Sequence, residues 1–423
     1  MKQKPQLLAS CLLVAMALGT AWAVRGKFGH EQGAAWAGAI GAVALIMVSK
    51  RTDWYAKVFR VALAAAVGWG MGGMISYGMV VGYGRGNDFL NVYYGLAMLF
   101  VIGGLYGFTG GGLLGIALVD TDEDRIDWPR LLTEMVAFGI VTYALVIYQL
   151  EWLMTPPRSE MWAACLGASF ALCWFIFRLK QWNVLKVATL TSIGSGFGFA
   201  FGNVLQVLGS NLLLPLNLWN VMEYSIGFFG GLGMAYATFT SAWHKSEVKR
   251  DGFSNTVPIL LLTLVIPFIV WDQSFTMEKL SSLLNVGGTE QWITWVQVTS
   301  LLLIAAVTWL LLIRDQRAIR KRRDYDFNAI RYLFTVYLGV FTLLSFLVTG
   351  VYVHPFEQYL YIINIAMVLI ISGRVVPSFT VAVEPPFQRP FTFILVMLIL
   401  AASAFVMINS HGELKGSQVR FER

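Results

Sequence analysis

Apolar residues in this chain come in runs of about twenty, the length at which a helix crosses the hydrocarbon core of a bilayer. Thirteen such runs follow one another, near residues 6–24, 31–49, 58–83, 88–118, 131–150, 160–178, 184–209, 219–242, 256–275, 292–313, 328–350, 357–373 and 390–408. Within a bilayer each backbone N–H and C=O must find its partner inside the segment, which makes runs of this kind helices. The expected fold class is all-α: a polytopic integral membrane helical bundle of about 13 transmembrane helices. The longest polar interval stays under about 20 residues, too short for a folded soluble domain.

The distribution of Lys and Arg sets the expected orientation, because cytoplasmic loops retain positive charge. With the N-terminus inside, 23 of the 31 basic residues fall in inner segments, including Lys50, Arg51, Lys57, Arg60 and the run from Arg314 to Arg331. This predicts a multi-pass protein of the bacterial inner membrane with a cytoplasmic N-terminus. Parity then places the C-terminal tail, with Lys415, Arg420 and Arg423, outside. The inner-loop bias accounts for the net charge of +7 and makes anionic headgroups, rather than nucleic acid, the partner of RAIRKRRDYD. The first segment, with its basic start and A-W-A ending, also reads as a secretion signal. The glycine-rich sequence that follows favours a retained first helix.

Glycine divides the chain. Of 41 glycines, 33 lie in residues 1–242 and 8 in 243–423. The expected organisation is a glycine-rich domain over 1–242, an ordinary Leu/Ile/Val/Phe bundle over 243–410, and a polar tail over 411–423. Gly70, Gly72 and Gly78 align with Gly194, Gly196 and Gly202 at a shift of 124 residues, four helices on. Residues 6–118 and 131–242 therefore read as two parallel four-helix repeats. Four helices also enter from the outer face with an acid seven residues before a glycine: Glu31/Gly38, Asp88/Gly95, Glu160/Gly167 and Glu223/Gly230. Seven residues are two helical turns, so each carboxylate shares a stripe with a close-packing glycine. The plain alternative is a first-turn carboxylate stabilised by the helix dipole. Glu160, beside Pro156, Pro157 and Arg158, suits that reading best.

Polar residues collect in three outer connections. Arg25, Lys27, His30 and Glu31 lie in the first, Arg85, Asp88 and Asn91 in the second, and Asn203, Gln206, Asn220 and Glu223 in and around the third. Asn203 and Gln206 are three apart, as are Asn220 and Glu223, so each pair projects from one helical face. Polar groups in a membrane face a cavity or one another. These eleven residues form the candidate substrate site: the cations suit an anionic group, the carboxylates a proton or cation, the amides hydroxyls. His30, beside Glu31, is a candidate to titrate near neutral pH, although a lone loop histidine is more often a solvated or hydrogen-bonded residue than a catalyst. The stretch GFTGGGLLG (107–115) is the expected place for a helix break, because the fourth helix is otherwise longer than a bilayer requires.

No cofactor or metal is expected. The cysteines Cys11, Cys165 and Cys173 have no ligand spacing, and the acidic loop 120–127 lacks the spaced oxygens of a calcium loop. A nucleotide-driven pump is excluded by the lack of a phosphate loop. Three functions remain: a secondary transporter for a small polar or anionic solute such as a sugar acid; a membrane-embedded transferase acting on a lipid-linked or periplasmic glycan, with Glu31 or His30 as general base; and a structural subunit. Whether the chain is an enzyme stays open at this stage. The lipid bilayer and a small-molecule substrate are the expected partners, and the design is compatible with a homo-oligomer.

Overall fold

In the computed structural model the described residues are 3–28, 31–210, 212, 216–245, 255–283, 290–321, 323–349, 356–377, 379 and 390–421. Their regular elements are all helices, with no strand among them. The glycine-rich part holds α1 (Gln3–Arg25), α2 (Glu31–Ser49), the single turn α3 (Thr52–Ala56), α4 (Val58–Gly73), α5 (Gly78–Gly84), α6 (Phe89–Val119), α7 (Trp128–Tyr143), α8 (Met161–Arg178), α9 (Trp182–Ser210) and α10 (Leu218–Phe239). The remainder holds α11 (Thr256–Leu260), α12 (Ile266–Ser274), α13 (Met277–Leu283), α14 (Glu290–Arg320), α15 (Phe327–Thr349), α16 (Phe356–Ser372) and α17 (Pro390–Ile408). Wider helical turns at Ala144–Gln149 and Leu261–Val265 extend α7 and join α11 to α12.

Among the described residues, nine helices are long and apolar enough to cross a membrane, and α4 with α5 forms one more as a bent pair. The expected runs at 357–373 and 390–408 fall on shorter apolar helices, α16 and residues 393–408. A membrane-embedded helical bundle follows.

Six elements close on themselves. α1 packs on α2, α2 on α4, α4 on α6, α6 on α9, α9 on α10, and α10 back on α1. Glycine lies in every seam of this ring: Gly41 against Leu18, Gly38 and Gly70 against Trp69 and Ala35, Gly68 against the backbone of Thr109, Gly103 against that of Ser195, Gly198 against that of Ser225, and Gly227 against that of Leu18. Small residues let helix backbones approach where the bilayer supplies no hydrophobic drive. The ring interior is filled by aromatic side chains: Trp22 packs on Trp69 and on Tyr106, each 5.4 Å between ring centroids, and Tyr106 stacks on Phe199. The α7–α8 pair stands outside the ring, while α12, α15, α16 and α17 brace it through α1, α2, α6 and α9.

The expected helix break at 107–115 is corrected: α6 runs unbroken from Phe89 to Val119. Its glycines receive neighbours instead, Gly107 and Gly111 facing Thr191, Gly110 facing Trp69, and Gly115 facing Val184. Thr109 further ties the helix to α4 by donating to the Gly68 carbonyl at 2.8 Å. The break lies in the preceding span, where residues 74–77 part α4 from α5 at an angle of 64°. The matched glycine triplets thus lie on unlike backbones, across this elbow in α4 and α5 but within one continuous helix in α9.

Candidate functional site

α1 ends at Arg25, and the elbow at 74–77 opens beside it, leaving a cavity of about 980 Å³ at this end of the bundle. Its floor is an ion pair buried where the ring narrows. Arg25 Nη1 lies 2.6 Å from Glu223 Oε2, with Arg25 1% and Glu223 3% exposed. The Tyr77 hydroxyl donates to Glu223 Oε1 at 2.6 Å, and Arg25 Nη1 reaches the same hydroxyl at 3.3 Å. The guanidinium also covers the Trp22 ring, 4.7 Å from its centroid. Gly33 of α2 lies against the aliphatic stem of Arg25, which is how the helix passes so large a side chain. Two buried charges this close are tolerable because both carboxylate oxygens are engaged and an aromatic face takes the cation. Beneath them, Trp22, Tyr106 and Phe199 shut the ring.

Around the floor the lining is cationic. Arg25, Lys27, Arg85, Arg158 and Lys279 line the cavity, and Glu223 is the only carboxylate that does so among the described residues. Lys27 pairs with Glu357 of α16 at 3.2 Å. Arg85 lies over the Trp219 ring, 5.0 Å from its centroid, and donates to the Lys415 carbonyl at 3.2 Å. Burial lowers the Arg85 pKa from its ordinary value while leaving the group charged at neutral pH. An anion arriving there offsets lost hydration. Arg158 is exposed at the rim, and the Ser76 hydroxyl faces the cavity from the elbow. Asn220, one turn before Glu223, donates to the Tyr361 hydroxyl and to the Ala23 carbonyl.

The structure therefore brings together Arg25, Lys27, Arg85, Asn220 and Glu223 of the expected set. It places the others elsewhere. Asp88 caps α6, accepting from the backbone N–H groups of Leu90 and Asn91. Asn91 clasps the chain's own tail: its Oδ1 accepts from the N–H groups of Arg420 at 2.6 Å and Phe421 at 2.9 Å, and its Nδ2 donates to the Phe421 carbonyl. Asn203 and Gln206 are buried on α9 and bond each other at 3.3 Å, with the Asn203 carbonyl against Gly84. His30 lies outside the described residues, as does the side chain of Glu31, whose backbone opens α2. Glu160 closes its own connection, accepting from the N–H groups of Met154 and Thr155 and from the Trp162 indole.

Five participants escaped the sequence reading: Tyr77, Arg158, Lys279, Glu357 and Tyr361. For Glu357 and Tyr361 a signal existed, since an acid and a tyrosine four apart share one helix face at the start of α16. Among the described residues no group of three or more His, Cys, Asp or Glu side chains is placed to hold a metal ion. No known protein family, curated protein or solved structure matches this chain.

Proposed function

We propose that the chain is a secondary transporter for a small organic anion, with the cavity above Arg25, Tyr77 and Glu223 as its binding site. One observation carries this reading: among the described residues, five cations and a single carboxylate line a cavity whose floor is a buried ion pair set beside a broken span. Two of those cations, Arg25 and Lys27, already have carboxylate partners in Glu223 and Glu357, so the positive charge that meets a solute is that of Arg85 and Arg158. Discontinuous spans at a cavity are a recurring way to build such sites. Glu223 serves as the coupling group: protonation releases Arg25, which then takes the solute's anionic group. The same reading puts the N-terminus in the cytoplasm of a bacterial inner membrane, following the basic inner loops.

The test is uptake of labelled sugar acids and other small carboxylates into proteoliposomes under an imposed pH gradient. Transport that collapses with the gradient, and in an Arg85→Gln, Arg158→Gln double variant loses affinity while the protein stays folded, supports the reading. Uptake indifferent to both removes it. The transferase reading uses Glu31 or His30 as general base, and the His30 residue and the Glu31 side chain lie outside the described residues.

A further inference from the structure

At the end of the bundle opposite the cavity, a crevice of about 430 Å³ runs between α4, α6 and the start of α7. α4 lines it with Arg60, Leu63, Ala64 and Val67, whose spacing of three and four puts them on one helix face. Arg60 and Val67 are about 10 Å apart along the axis, seven residues at the helical rise. The deep part is apolar, and it opens sideways at Val67 and Leu132, 40% and 41% exposed, on the surface that faces lipid.

The mouth is positive. Lys57 Nζ is fixed on the carbonyl oxygens of Leu118 at 2.5 Å and Asp120 at 3.0 Å. The Asp120 carboxylate is taken up by its own loop, accepting from the Ile126 N–H at 3.0 Å and the Trp128 indole at 2.8 Å. Arg60 is half-buried, and its guanidinium makes no hydrogen bond or ion pair among the described residues. A cation left without a counter-ion above an apolar slot that opens into the bilayer has the polarity of a lipid's phosphate and chain.

We propose that this crevice holds one anionic phospholipid, its phosphate on Arg60 within the field of Lys57 and one acyl chain along Leu63, Val67 and Leu132. An acyl chain gains nothing hydrophobic by leaving one apolar medium for another. Selection therefore rests on the headgroup, and zwitterionic lipids are the ones discriminated against. This site is independent of the transport reading.

The full-length protein, delipidated in neutral detergent, is titrated with phosphatidylglycerol, with phosphatidylcholine of the same chains, and with inorganic phosphate. Retained lipid is counted by native mass spectrometry and the melting temperature followed in parallel. The expected result is a preference of about fivefold for phosphatidylglycerol, lost in Arg60→Gln and kept in Arg60→Lys. Equal retention of the two lipids by the wild type overturns the proposal whether or not the variants fold. So does a preference that survives in Arg60→Gln, or inorganic phosphate alone reproducing the thermal shift, which marks a free-anion site instead.

Discussion

The pair between Arg25 and Glu223 sits where an unpartnered charge is least tolerable, at 1% and 3% exposure. Removing one member leaves the other uncompensated, so Arg25→Met is expected to cost about 3–5 kcal/mol, whereas Arg25→Met with Glu223→Met recovers part of that loss. Thermal unfolding in detergent measures both, and a double variant no better than the single ones refutes the coupling. At the opposite end two lysines give a pH dependence. Burial, with Arg331 nearby, pushes Lys50 down to about 8, and burial foremost brings Lys57 to about 8. Both stay below the ordinary lysine value, so between about 8 and 10.5 the unfolded chain holds more protons and stability rises with pH. Tyr55, pushed up to about 12 by burial, acts in the opposite sense above 10. The melting temperature is expected to climb from pH 8 toward 10, with a shallower slope in Lys50→Met; a flat profile contradicts this. Residue type alone marked Arg25, Lys27, Arg85, Asn220 and Glu223, because polar groups in so apolar a chain have few places to go. It also marked Asp88 and Asn91, since a capping carboxylate and a tail-clasping amide look like binding groups until their partners are known. Tyr77 stayed hidden because its partners lie on α1 and α10, far away in sequence.

Glycine works differently from helix to helix. In α6, a methyl on Gly103 meets the Ser195 carbonyl oxygen at 2.5 Å, so Gly103→Ala is expected to destabilise the bundle by about 1–3 kcal/mol. In α15, Gly339 has nothing within 4 Å, and Gly339→Ala is expected to be neutral or to add up to about 1 kcal/mol. Comparing the two melting temperatures separates glycine as a packing device from glycine as mere tolerance. The helices themselves were legible, because a twenty-residue apolar run permits little else in lipid. The elbow was not. GFTGGGLLG has more glycine than the segment from Gly73 to Gly78, but its glycines face the backbones and side chains of α4 and α9, and those contacts keep α6 helical. At the elbow Tyr77 engages Glu223 of α10, a partner that local composition does not announce.

Across the whole molecule, the second half of the chain returns to serve the first. α16 supplies Glu357 and Tyr361 to hold Lys27 and Asn220 of the cavity wall, and the residues after α17 lie on the rim, where the Gln418 N–H donates to the Gly82 carbonyl at 3.0 Å. Asn91→Ala is expected to free this tail and speed tryptic cleavage at Lys415 and Arg420 without lowering the melting temperature of the bundle; unchanged cleavage means the clasp holds nothing. The closed ring also limits how the molecule moves. A hoop cannot be pried open at one joint without opening a second, and every joint here has a glycine packed into it. The halves are thus poorly placed to rock against each other. The ring's one bent member is the arm of α5, where a side chain at Gly78 would meet no neighbour and the Gly82 carbonyl is latched by the Gln418 N–H, a catch made from the last described residues of the chain.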